Sequence, residues 1–587
     1  MILVFGGTTE GRKAVEVLEE GGSPYFYSTK TGEQDITLHH GQRIDGALDE
    51  EAMRAFCQAQ HIRLIVDAAH PFASQLHQTI AQVSEALNIP AIRYERIYPE
   101  RDPEITWIDD YSQIPRDIHS LLATTGVQSI SKLKPLEAEG IRIYYRILQR
   151  ESSIALALKQ GASPEQLCYY EDPQDIPVEA ETILLKESGL SGGFPEKVEA
   201  AKSRGMRIIA LKRPETLVFF TIVNGPYGLR RMVEKLLPEF YPLHSGLTTG
   251  TCATAAAVAA ALRLLKKEKP EEVPVLLPDG ETIYVPVSYS EEYASVFKDA
   301  GDDPDVTNGL EIRASVNQGD RSLDSVENHG PVPLIHILGG EGVGRFTLPG
   351  FDYPPGEAAI NKAPREMIRQ NLESYDVPLQ VTISVPEGVE IARRTFNPRL
   401  GIEGGISIIG VSGIVKPFSE EAFIESIRKC MTVAKASGSE RVVINSGGKS
   451  ERFVRALYPT LPQQAFVEYG NYIGETLKLA HELNIKKVTL GVMLGKAVKL
   501  AQGHLDTHSR KATMDKDFIY TMLREAGIET DISDITLARE LWEKIPKEKT
   551  QDFVRVVISH CETFCKPLLP EGTLTTLLID DEGTIYS

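Results

Sequence analysis

The sequence predicts a multidomain α/β protein with two Rossmann-like lobes, followed by an α+β domain and a further doubly wound α/β domain. Its 587 residues correspond to about four domains at roughly 150 residues each. Short apolar runs alternate with helical patterns in the first and last parts of the chain, which is typical of βαβ units around a parallel sheet. Between about Val273 and Glu390, strands are instead separated by loops rich in Pro, Gly and Asp. The predicted domains are residues 1–97, 98–240, 243–400 and 401–587.

The first lobe is expected to contain the strands Ile2–Phe5 and Leu64–Ala68 and helices near Arg12–Glu20 and Ser74–Leu87. After Pro99 the pattern restarts, which indicates a second and similar lobe. Its predicted elements are a helix near Ile114–Ala123 and the strands Ile141–Ile147, Thr182–Lys186 and Arg207–Leu211.

The main boundary is placed at Leu237–Pro242, where two prolines interrupt the pattern. In the following half, Gly339–Gly344 precedes a strand-like run, so we predict a hairpin there and not a nucleotide site. The run Ile406–Ile409 is predicted as the first strand of the last α/β domain, with a helix from Ser419.

Composition limits the class of partner. The formal net charge of −19 argues against binding to nucleic acid or to an anionic membrane, both of which favour a basic face. An anionic substrate would need local basic pockets. Six cysteines in a chain of this length do not indicate a disulfide framework. No targeting segment is recognised, so a cytoplasmic enzyme is expected.

The segment Gly6–Arg12 directly follows a strand and opens a helix. Backbone N–H groups at such a helix start bind phosphate, and small residues allow it to approach; the alternative is a plain tight turn between strand and helix. The usual acid at the end of the second strand is replaced by Ser28-Thr29-Lys30, which favours NADPH over NADH without deciding between them. The candidate cofactor-binding residues are Gly6, Gly7, Thr8, Thr9, Glu10, Gly11, Arg12 and Ser28.

His70 and several cations follow predicted strands, at the edge of a parallel sheet where ligands bind. His70 could donate to a substrate carboxylate or move a proton, or it could only cap a helix. The cations suggest a cleft for an anion, although each one alone could be a solvated surface charge. These candidate substrate-binding cations are Arg93, Arg96, Lys186 and Arg213.

Together these motifs resemble the precorrin-6A reductase family (CobK/CbiJ) of cobalamin biosynthesis over roughly residues 1–240. The resemblance rests on Gly6–Arg12, Asp67–Ala73, Arg93–Arg96, Lys186–Gly189 and Arg213-Pro214 in this order. It implies reduction of a macrocycle double bond with a nicotinamide cofactor, and it adds Ser188 and Gly189 to the candidate substrate-binding residues. His70 is the candidate general acid.

In the second half, Thr248 to Cys252 form a hydroxyl-rich turn before an Ala-rich helix. Thr residues cap free N–H groups, and a helix start attracts carboxylates, so Thr248 and Thr249 are candidate substrate ligands. Cys252 is more simply a small residue for close packing. The acidic turn Lys298–Thr307 could bind a metal, form a rigid turn, or supply a base for a carbon acid. Lys298 and Asp303 are candidates for substrate binding and for that base.

The segment Gly401–Gly413 is predicted as a strand that enters a Gly/Ser loop, an edge that could seat an adenosyl ligand. Ser446–Ser450 imitates a P-loop, but Val443 stands where its first Gly is required, so an ATP site is rejected. The candidate S-adenosylmethionine residues are Gly404, Gly405, Gly410, Ser412 and Gly413. The candidate ligands of an anionic substrate are Lys496, Lys499, His508 and Arg510.

These elements resemble the cobalt-precorrin-5B C1-methyltransferase family (CbiD) over about residues 243–587. The family transfers methyl from S-adenosylmethionine to C1 of a cobalt-loaded, ring-contracted macrocycle and belongs to the anaerobic pathway. The chain is therefore expected to be a bifunctional enzyme that methylates cobalt-precorrin-5B to cobalt-precorrin-6A and reduces that product to cobalt-precorrin-6B.

Two other classes stay open at this point: a single NAD(P)-dependent dehydrogenase with a large substrate domain, and a non-catalytic tetrapyrrole carrier or scaffold. No protein-bound metal is expected, because His560, Cys561 and Cys565 are too few for a closed zinc site. The expected partners are precorrin substrates, with a homo-oligomer left open.

Overall fold

The computed structural model describes residues 1–30, 34–318, 335–509 and 511–587. The chain forms two compact units. Unit 1 comprises Met1–Ser245 with Pro274–Tyr284, and unit 2 comprises Gly246–Val273 with Val285–Ser587. A short segment from beyond the predicted 242/243 boundary thus belongs to the first unit. It lies in the pair of strands Glu272–Leu276 and Thr282–Pro286.

The first sheet of unit 1 is a six-stranded parallel sheet in Rossmann order. It is buried on both faces: Leu3 and Ile65 belong to one core cluster, and Val4 and Val66 to another. Across the sheet, the strands are Thr221–Val223, Ala91–Tyr94, Leu64–Asp67, Ile2–Phe5, Tyr25–Thr29 and Gly41–Asp45. The helices of this lobe are Thr9–Glu19, Glu50–Ala59, Ser74–Leu87 and Pro226–Leu236. The predicted Rossmann-like character is confirmed.

The lobe division differs from the prediction of 98–240 for the second lobe. The strand Thr221–Val223 pairs in parallel with Ala91–Tyr94 of the first sheet. The helix Pro226–Leu236 packs through Leu229 and Val233 into the core of that sheet. Sequence order alone places these elements after the second lobe, but strand pairing returns them to the first.

The second sheet of unit 1 is also parallel and six-stranded. Its strands in spatial order are Thr106–Ile108, Arg207–Leu211, Thr182–Lys186, Ser120–Ala123, Arg142–Ile147 and Leu167–Tyr169. Its helices are Ile130–Ala138, Glu151–Lys159 and Phe194–Ser203. The predicted helix near Ile114–Ala123 is wrong, because Leu121 and Leu122 are fully buried in clusters on opposite faces of a strand. Periodicity cannot separate so short an apolar run from a helix.

Unit 2 begins with the buried helix Thr249–Lys266, which is followed by a mixed five-stranded sheet. The strands in spatial order are Ser288–Tyr289, Ala294–Phe297, Glu311–Gln318, Leu379–Ser384 and Ile335–Gly339, antiparallel except for the last pair. The helices Lys362–Leu372 and Gly388–Ala392 belong to this part. Two small antiparallel pairs join Gly246–Leu247 to Ile414–Val415, and Arg345–Phe346 to Ile402–Glu403. The predicted hairpin at Gly339–Gly344 is therefore wrong, since the strands on its two sides pair elsewhere.

The last part of unit 2 contains a doubly wound sheet. Its strands in spatial order are Phe466–Glu468, Arg441–Asn445, Lys487–Met493, Thr573–Ile579 and Ile585–Tyr586, parallel except for the last. Its helices are Glu420–Ala436, Gly448–Arg455, Ile473–Glu482, Leu494–Ala501, Lys516–Glu525, Leu541–Lys544 and Thr550–Cys565.

The predicted first strand of this domain, Ile406–Ile409, is not part of the sheet. Ile406 bridges to Val343, and Ile408 bridges to Ile360. Residues 401–415 therefore belong with the preceding part of unit 2, and the predicted 400/401 boundary falls inside that part.

Among the described residues, no helix has both the length and the apolar character that crossing a membrane requires. The same residues contain no cluster of three or more His, Cys, Asp and Glu side chains able to hold a metal ion.

Candidate functional sites

The loop that follows the first strand has the close packing of a dinucleotide-binding turn. Thr8 caps the helix Thr9–Glu19, where its Oγ1 accepts a hydrogen bond from the Gly11 N–H at 3.0 Å and donates to the Ala68 carbonyl at 2.7 Å. A Cβ on Gly6 would lie 2.1 Å from the Tyr27 hydroxyl, and one on Gly11 would lie 2.8 Å from Gly6 Cα. Gly7 has φ +88° with open space beside it. The loop therefore needs these glycines, as a phosphate-binding turn does.

Two polar side chains lie against this loop. The Gly7 N–H donates to the Tyr27 hydroxyl at 3.1 Å and to Gln34 Oε1 at 3.2 Å, and Gln34 Nε2 donates to the Thr8 carbonyl at 2.9 Å. Gln34 was not a sequence candidate. Ser28, expected near the cofactor, is buried, and its carbonyl accepts from the Gly6 N–H at 3.0 Å.

The buried carboxylate of Asp67 organises the end of the strand Leu64–Asp67 in the first sheet. Asp67 Oδ1 accepts from Arg93 Nη1 at 2.9 Å, and Asp67 Oδ2 lies 2.6 Å from His77 Nδ1. His77 Nε2 lies 3.1 Å from the His70 carbonyl. His77 was missed by sequence reasoning. The sequence feature that could have identified His77 is its position in the first turn of the helix Ser74–Leu87, one loop after the strand that ends in Asp67.

His70 itself lies in a cationic environment. Burial, followed by the charges of Arg96, Lys186, Arg93 and Lys197, lowers the pKa of His70 to about 3. Its Nδ1 accepts from the Phe72 N–H at 3.2 Å. The imidazole is therefore neutral at physiological pH, so it can donate a hydrogen bond from Nε2 but is a poor store for a proton to be transferred.

Among the predicted substrate-binding cations near His70, Lys186 is the one without a carboxylate partner among the described residues. It ends the strand Thr182–Lys186, and its Nζ lies 4.9 Å from the ring centroid of Phe72. Within the described ranges, no carboxylate forms an ion pair with Lys186. Burial and the nearby charge of Lys132 lower the pKa of Lys186 to about 8. An amine of this kind is mostly protonated at pH 7 and can still give up its proton.

Arg93 and Arg96 are not available in the same way. Arg93 is 3% exposed and pairs with Asp67 and with Glu95, the latter at 3.4 Å. Arg96 is 6% exposed, pairs with Glu10 at 2.9 Å and donates to the Ser188 carbonyl at 2.7 Å. Both predicted substrate cations are thus internally neutralised, and Glu10, expected near the cofactor, serves as a partner of Arg96.

Residues of the second lobe complete this network. Ser191 donates to Glu10. Gly189 has φ +71°, and a Cβ there would lie 2.9 Å from both Arg96 Cβ and the Ile97 carbonyl oxygen. Arg213 pairs with Glu187 at 3.1 Å and lies 3.7 Å from the ring centroid of Tyr98, yet about a third of its side chain stays exposed. Arg213 and Lys186 are therefore the accessible cations of the four predicted.

In unit 2, the start of the helix Thr249–Lys266 is covered by residues 409–413, which we call the strap. The strap's Ile409 carbonyl accepts from the Gly250 N–H at 2.9 Å and from Thr249 Oγ1 at 3.1 Å. Its Gly413 carbonyl accepts from the Thr248 N–H at 3.1 Å and from Thr251 Oγ1 at 2.6 Å. The candidate substrate ligands Thr248 and Thr249 therefore bind the segment that was predicted to hold S-adenosylmethionine.

The strap also presents an apolar surface beside the acidic turn. Ile409, Val411 and the following Phe418 are 48%, 74% and 67% exposed. Asp303 Oδ1 accepts from the Phe418 N–H at 3.0 Å, so this carboxylate lies at the edge of the apolar face. Lys298 does not reach the surface: its side chain is 1% exposed and its Nζ pairs with Asp305 Oδ2 at 2.8 Å. Burial would raise the pKa of Asp305, but Lys298 and Thr307 outweigh it and hold that pKa below its usual value.

The last candidates lie at the carboxyl edge of the doubly wound sheet of unit 2, which we call the sheet 441–579. Lys496 donates to the Gly470 carbonyl, and burial lowers the pKa of Lys496 to about 8 against the opposing charge of Glu468. Lys499 Nζ donates to the Thr507 carbonyl at 3.3 Å. The His508 N–H donates to Asp506 Oδ1 at 3.0 Å. Arg510 lies outside the described residues.

Beside this edge, an open groove of about 620 Å³ was not anticipated from the sequence. It is lined by Arg399, Arg452 and Arg455 together with Glu451. Glu451 pairs with Arg399 at 2.8 Å and with Arg455 at 2.6 Å, whereas Arg452 has no ion pair within the part of the chain that the structure describes. The groove is thus a second cationic surface.

Comparison with known proteins places both halves. The family model for the precorrin-6x reductase CbiJ/CobK matches residues 1–225, and the CbiD model matches residues 238–417. A cobalt-precorrin-5B C(1)-methyltransferase of Prosthecochloris aestuarii is 43% identical over 353 residues, which cover 57% of this chain and 94% of that protein. One from a Geobacillus species is 41% identical over 334 residues, which cover 54% and 88%.

Among solved structures, a cobalamin biosynthesis protein (cbiD) from Archaeoglobus fulgidus is 30% identical and covers 49% of this chain and 85% of its own, with a TM-score of 0.26. A CobK precorrin-6A reductase is 17% identical and covers 40% of this chain and 96% of its own, with a TM-score of 0.33.

Proposed function

This chain belongs to the cobalt-precorrin-5B C1-methyltransferase family and carries a CbiJ/CobK reductase domain ahead of that part, and we propose that it catalyses two consecutive steps of cobalamin biosynthesis. The C-terminal part methylates cobalt-precorrin-5B at C1 to give cobalt-precorrin-6A. The N-terminal part reduces this product to cobalt-precorrin-6B. The observation that carries the proposal is the presence of both family matches, one after the other, in one chain.

Methylation requires alignment of a carbon nucleophile with the sulfonium methyl group. S-adenosylmethionine supplies the methyl: the bond from methyl to C1 forms as the sulfur–methyl bond breaks, and S-adenosylhomocysteine leaves. A proton leaves the macrocycle, and Asp303 is the proposed acceptor. Ile409, Val411 and Phe418 are exposed apolar side chains, and the Phe418 N–H binds Asp303. These observations support docking of a large flat macrocycle there, because exposed apolar patches mark binding surfaces.

The carboxylates of the macrocycle need cations that internal partners have not neutralised. Arg452 in the groove of unit 2 and Lys186 in unit 1 meet this condition. Arg213 keeps about a third of its side chain exposed despite its pair with Glu187. Lys496, Lys499, His508 and Arg510 stay proposed contacts of the anionic substrate. Thr248, Thr249 and Lys298 are assigned a structural role, because their polar groups bind the strap or Asp305.

Reduction needs a nicotinamide cofactor, which supplies a hydride to one carbon of the macrocycle when bound. The residues Gly6–Arg12 are proposed to hold it, since Gly7 leaves open space at a backbone turn of the kind that dinucleotides approach. The strand Tyr25–Thr29 has no acidic residue of its own at its end, but Asp45 of the neighbouring strand accepts a hydrogen bond from Thr29 Oγ1 at 3.2 Å, so this edge does not distinguish NADPH from NADH.

A general acid must protonate the neighbouring carbon. His70 was the sequence candidate, but its low pKa leaves it neutral. Lys186 Nζ is the better proposed donor, because it carries a proton at pH 7 and lies beside Phe72, two residues from His70. His70 is then a neutral hydrogen-bond donor that orients the substrate.

The test is incubation of the full chain with cobalt-precorrin-5B, S-adenosylmethionine and each nicotinamide, followed by mass analysis. We expect methyl transfer without nicotinamide and addition of two hydrogens only when both are present. Gly11→Asp should stop at the methylated product, because a side chain there meets Gly6 Cα at 2.8 Å and would bring a carboxylate to the phosphate site. Recovery of unmethylated substrate from the complete mixture would refute the function.

A further inference from the structure

The sheet 441–579 has a topological switch point. Its strand Arg441–Asn445 lies between Phe466–Glu468 and Lys487–Met493, with all three parallel. The chain thus leaves the central strand toward one neighbour and returns on the other side. In open α/β sheets, ligands bind in the crevice outside the carboxyl ends of the strands at such a point.

A glycine loop lies at that crevice. After the central strand, Gly447 has φ +151°, which L side chains rarely adopt, and its N–H donates to Asn445 Oδ1 at 3.1 Å. A Cβ on Gly448, the first residue of the helix Gly448–Arg455, would meet nothing within 4 Å. The backbone is therefore open to close approach by a ligand at Gly448, while Gly447 provides the turn.

An acidic side chain faces this loop from the next strand. Glu468 ends Phe466–Glu468, and its Oε1 lies 3.2 Å from the position a Cβ would take on Gly447. The carboxylate is half-buried, yet no hydrogen bond or ion pair engages it anywhere in the described ranges. Burial raises the pKa of Glu468 above its usual value, although Arg399 and Lys496 oppose the shift. A half-buried carboxylate without a partner is costly unless a ligand supplies donors.

The order strand, glycine loop, helix, strand and terminal acid is that of a ribose-binding βαβ unit. In such units an acid about 20 residues after the glycine loop binds ribose hydroxyls. Glu468 follows Gly447 by 21 residues. In the first sheet of unit 1, the equivalent position at the end of Tyr25–Thr29 has no acid.

The loop lacks the features that would bind a triphosphate. Val443 occupies the first glycine position of a P-loop. Lys449, at the position after the glycines, points to Asp581 at 3.3 Å and is half exposed. A nucleoside without phosphates, such as an adenosyl group, suits the crevice better than ATP.

At the alternative location, Gly404–Gly413, several backbone groups are already engaged inside the protein. Its Ile406 N–H donates to the Gly342 carbonyl at 3.0 Å, and its Ile408 N–H donates to the Ala359 carbonyl at 2.8 Å. A Cβ on Gly405 would lie 2.1 Å from the Gly342 carbonyl oxygen, and one on Gly410 would lie 2.3 Å from Thr248 Oγ1. These glycines allow close packing of the strap inside the protein, so we do not assign the adenosyl group to them.

We propose that the adenosyl group of S-adenosylmethionine binds at the switch point of the sheet 441–579, with the backbone of Gly447 and Gly448 against the ligand and Glu468 accepting hydrogen bonds from the ribose hydroxyls. This assignment rests on the proposed methyltransferase function, and it deepens it by naming the site. Lys496, beside Glu468 at the same edge, is placed to meet an anionic part of the ligand or of the macrocycle.

Calorimetric titration of the full chain with S-adenosylhomocysteine tests the site without requiring turnover. Glu468→Gln and Glu468→Ala should each weaken binding by about ten-fold or more, the loss expected when one or two hydrogen bonds to a charged group disappear. Glu440→Gln is the matched control. Glu440 precedes Arg441 at the opposite end of the central strand, is 81% exposed and pairs with Lys487, so its replacement should leave the affinity unchanged.

Ligand analogues make the test specific to the ribose. S-adenosylhomocysteine lacking the 2′- or the 3′-hydroxyl should bind the wild-type chain more weakly than the intact ligand. The Glu468→Ala variant should bind the analogue that lacks the hydroxyl contacted by Glu468 almost as tightly as it binds the intact ligand. Equal losses in the two proteins for both analogues would overturn the assignment.

Two further results separate the site from the function. If both Glu468 variants bind normally while Val411→Asp in the strap abolishes binding, the adenosyl group lies at the strap and the assignment is overturned. If the wild-type chain binds neither S-adenosylmethionine nor S-adenosylhomocysteine, the methyltransferase function fails together with the site.

Discussion

At the scale of single residues, charge alone did not identify the residues that can meet substrate. Arg93, Arg96 and Lys298 are cations at the ends or edges of strands, but each is almost fully buried against a carboxylate. Lys186 and Arg213 keep an accessible charge because their surroundings leave them wholly or partly free. The functional difference among these cations therefore comes from their partners.

Replacing Lys186 tests its role as the proton donor. Lys186→Met should lower kcat of the reduction by roughly 10²-fold or more, as loss of a general acid does. In the wild-type chain, the rate should fall as pH rises through about 8, because the buried amine loses its proton there. Rates measured across a pH series check this, with exposed Lys202→Met as the control. A raised KM with an unchanged kcat would instead make Lys186 a binding residue.

Arg213 and Arg96 should respond differently to the same change. Arg213→Met should raise the KM for the macrocycle roughly ten-fold, because one charge-assisted hydrogen bond to a carboxylate is lost. Arg96→Met should instead destabilise unit 1 by about 3 kcal/mol, since it leaves Glu10 buried without its partner. Steady-state kinetics and thermal unfolding distinguish the two. If Arg213→Met weakens only the nicotinamide cofactor, this cation contacts cofactor and not macrocycle.

At the scale of elements, one short segment joins unit 1 from outside the continuous chain of that unit. Glu281 is 1% exposed in the segment Pro274–Tyr284, and it accepts hydrogen bonds from the Tyr227 and Gly228 N–H groups at the start of the helix Pro226–Leu236. The Thr282 N–H donates to Asn224 Oδ1 at 2.9 Å. The segment thus caps a helix of the first sheet.

The titration of Glu281 should make this cap depend on pH. Burial raises the pKa of Glu281 from 4.5 to about 7. Because the folded-state pKa is the higher one, the stabilising contribution is full below 4.5 and is lost as pH rises through about 7. Relative to Glu281→Gln, the wild-type chain should lose about 3 kcal/mol across this window. Thermal unfolding of both proteins as a function of pH checks this, and parallel curves would contradict it.

At the scale of the whole molecule, the two proposed reactions use residues of different units. Lys186 and the Gly6–Arg12 loop belong to unit 1, whereas Glu468 and Asp303 belong to unit 2. The net charge of −19 also means that the polyanionic macrocycle is attracted only by local cations. We therefore expect unit 2 to methylate its substrate when reduction in unit 1 is blocked, and unit 1 to reduce its substrate when methylation in unit 2 is blocked.

Mixing two inactive variants tests this independence. With S-adenosylmethionine kept well below the weakened Kd of the Glu468→Ala variant, that variant should leave most cobalt-precorrin-5B unmethylated, whereas Lys186→Met should stop at the methylated product. An equimolar mixture should form the reduced product, because the intermediate can pass from one chain to the other through solution. Mass analysis of the products over time checks this. A mixture that accumulates cobalt-precorrin-6A without reducing it would show that transfer within one chain is obligatory.

The sequence by itself determined the features that depend on local pattern. The alternation of strands and helices predicted parallel sheets, the helix Ser74–Leu87 was predicted with its observed bounds, and the motif order identified both families. These succeed because periodicity, turn chemistry and motif spacing are properties of neighbouring residues. The same local reading failed at Ser120–Ala123, where four residues are too few to show a period.

Only the tertiary structure decided which distant residues meet. It returned Thr221–Val223 to the first sheet, set the strap Ile409–Gly413 on the helix Thr249–Lys266, and brought Glu468 to the Gly447 loop. Strand pairing and ion pairing join residues that are far apart in the chain, and many partners of the right type compete for each one. The choice among them is made by the packing of the whole domain, which no short stretch of sequence contains.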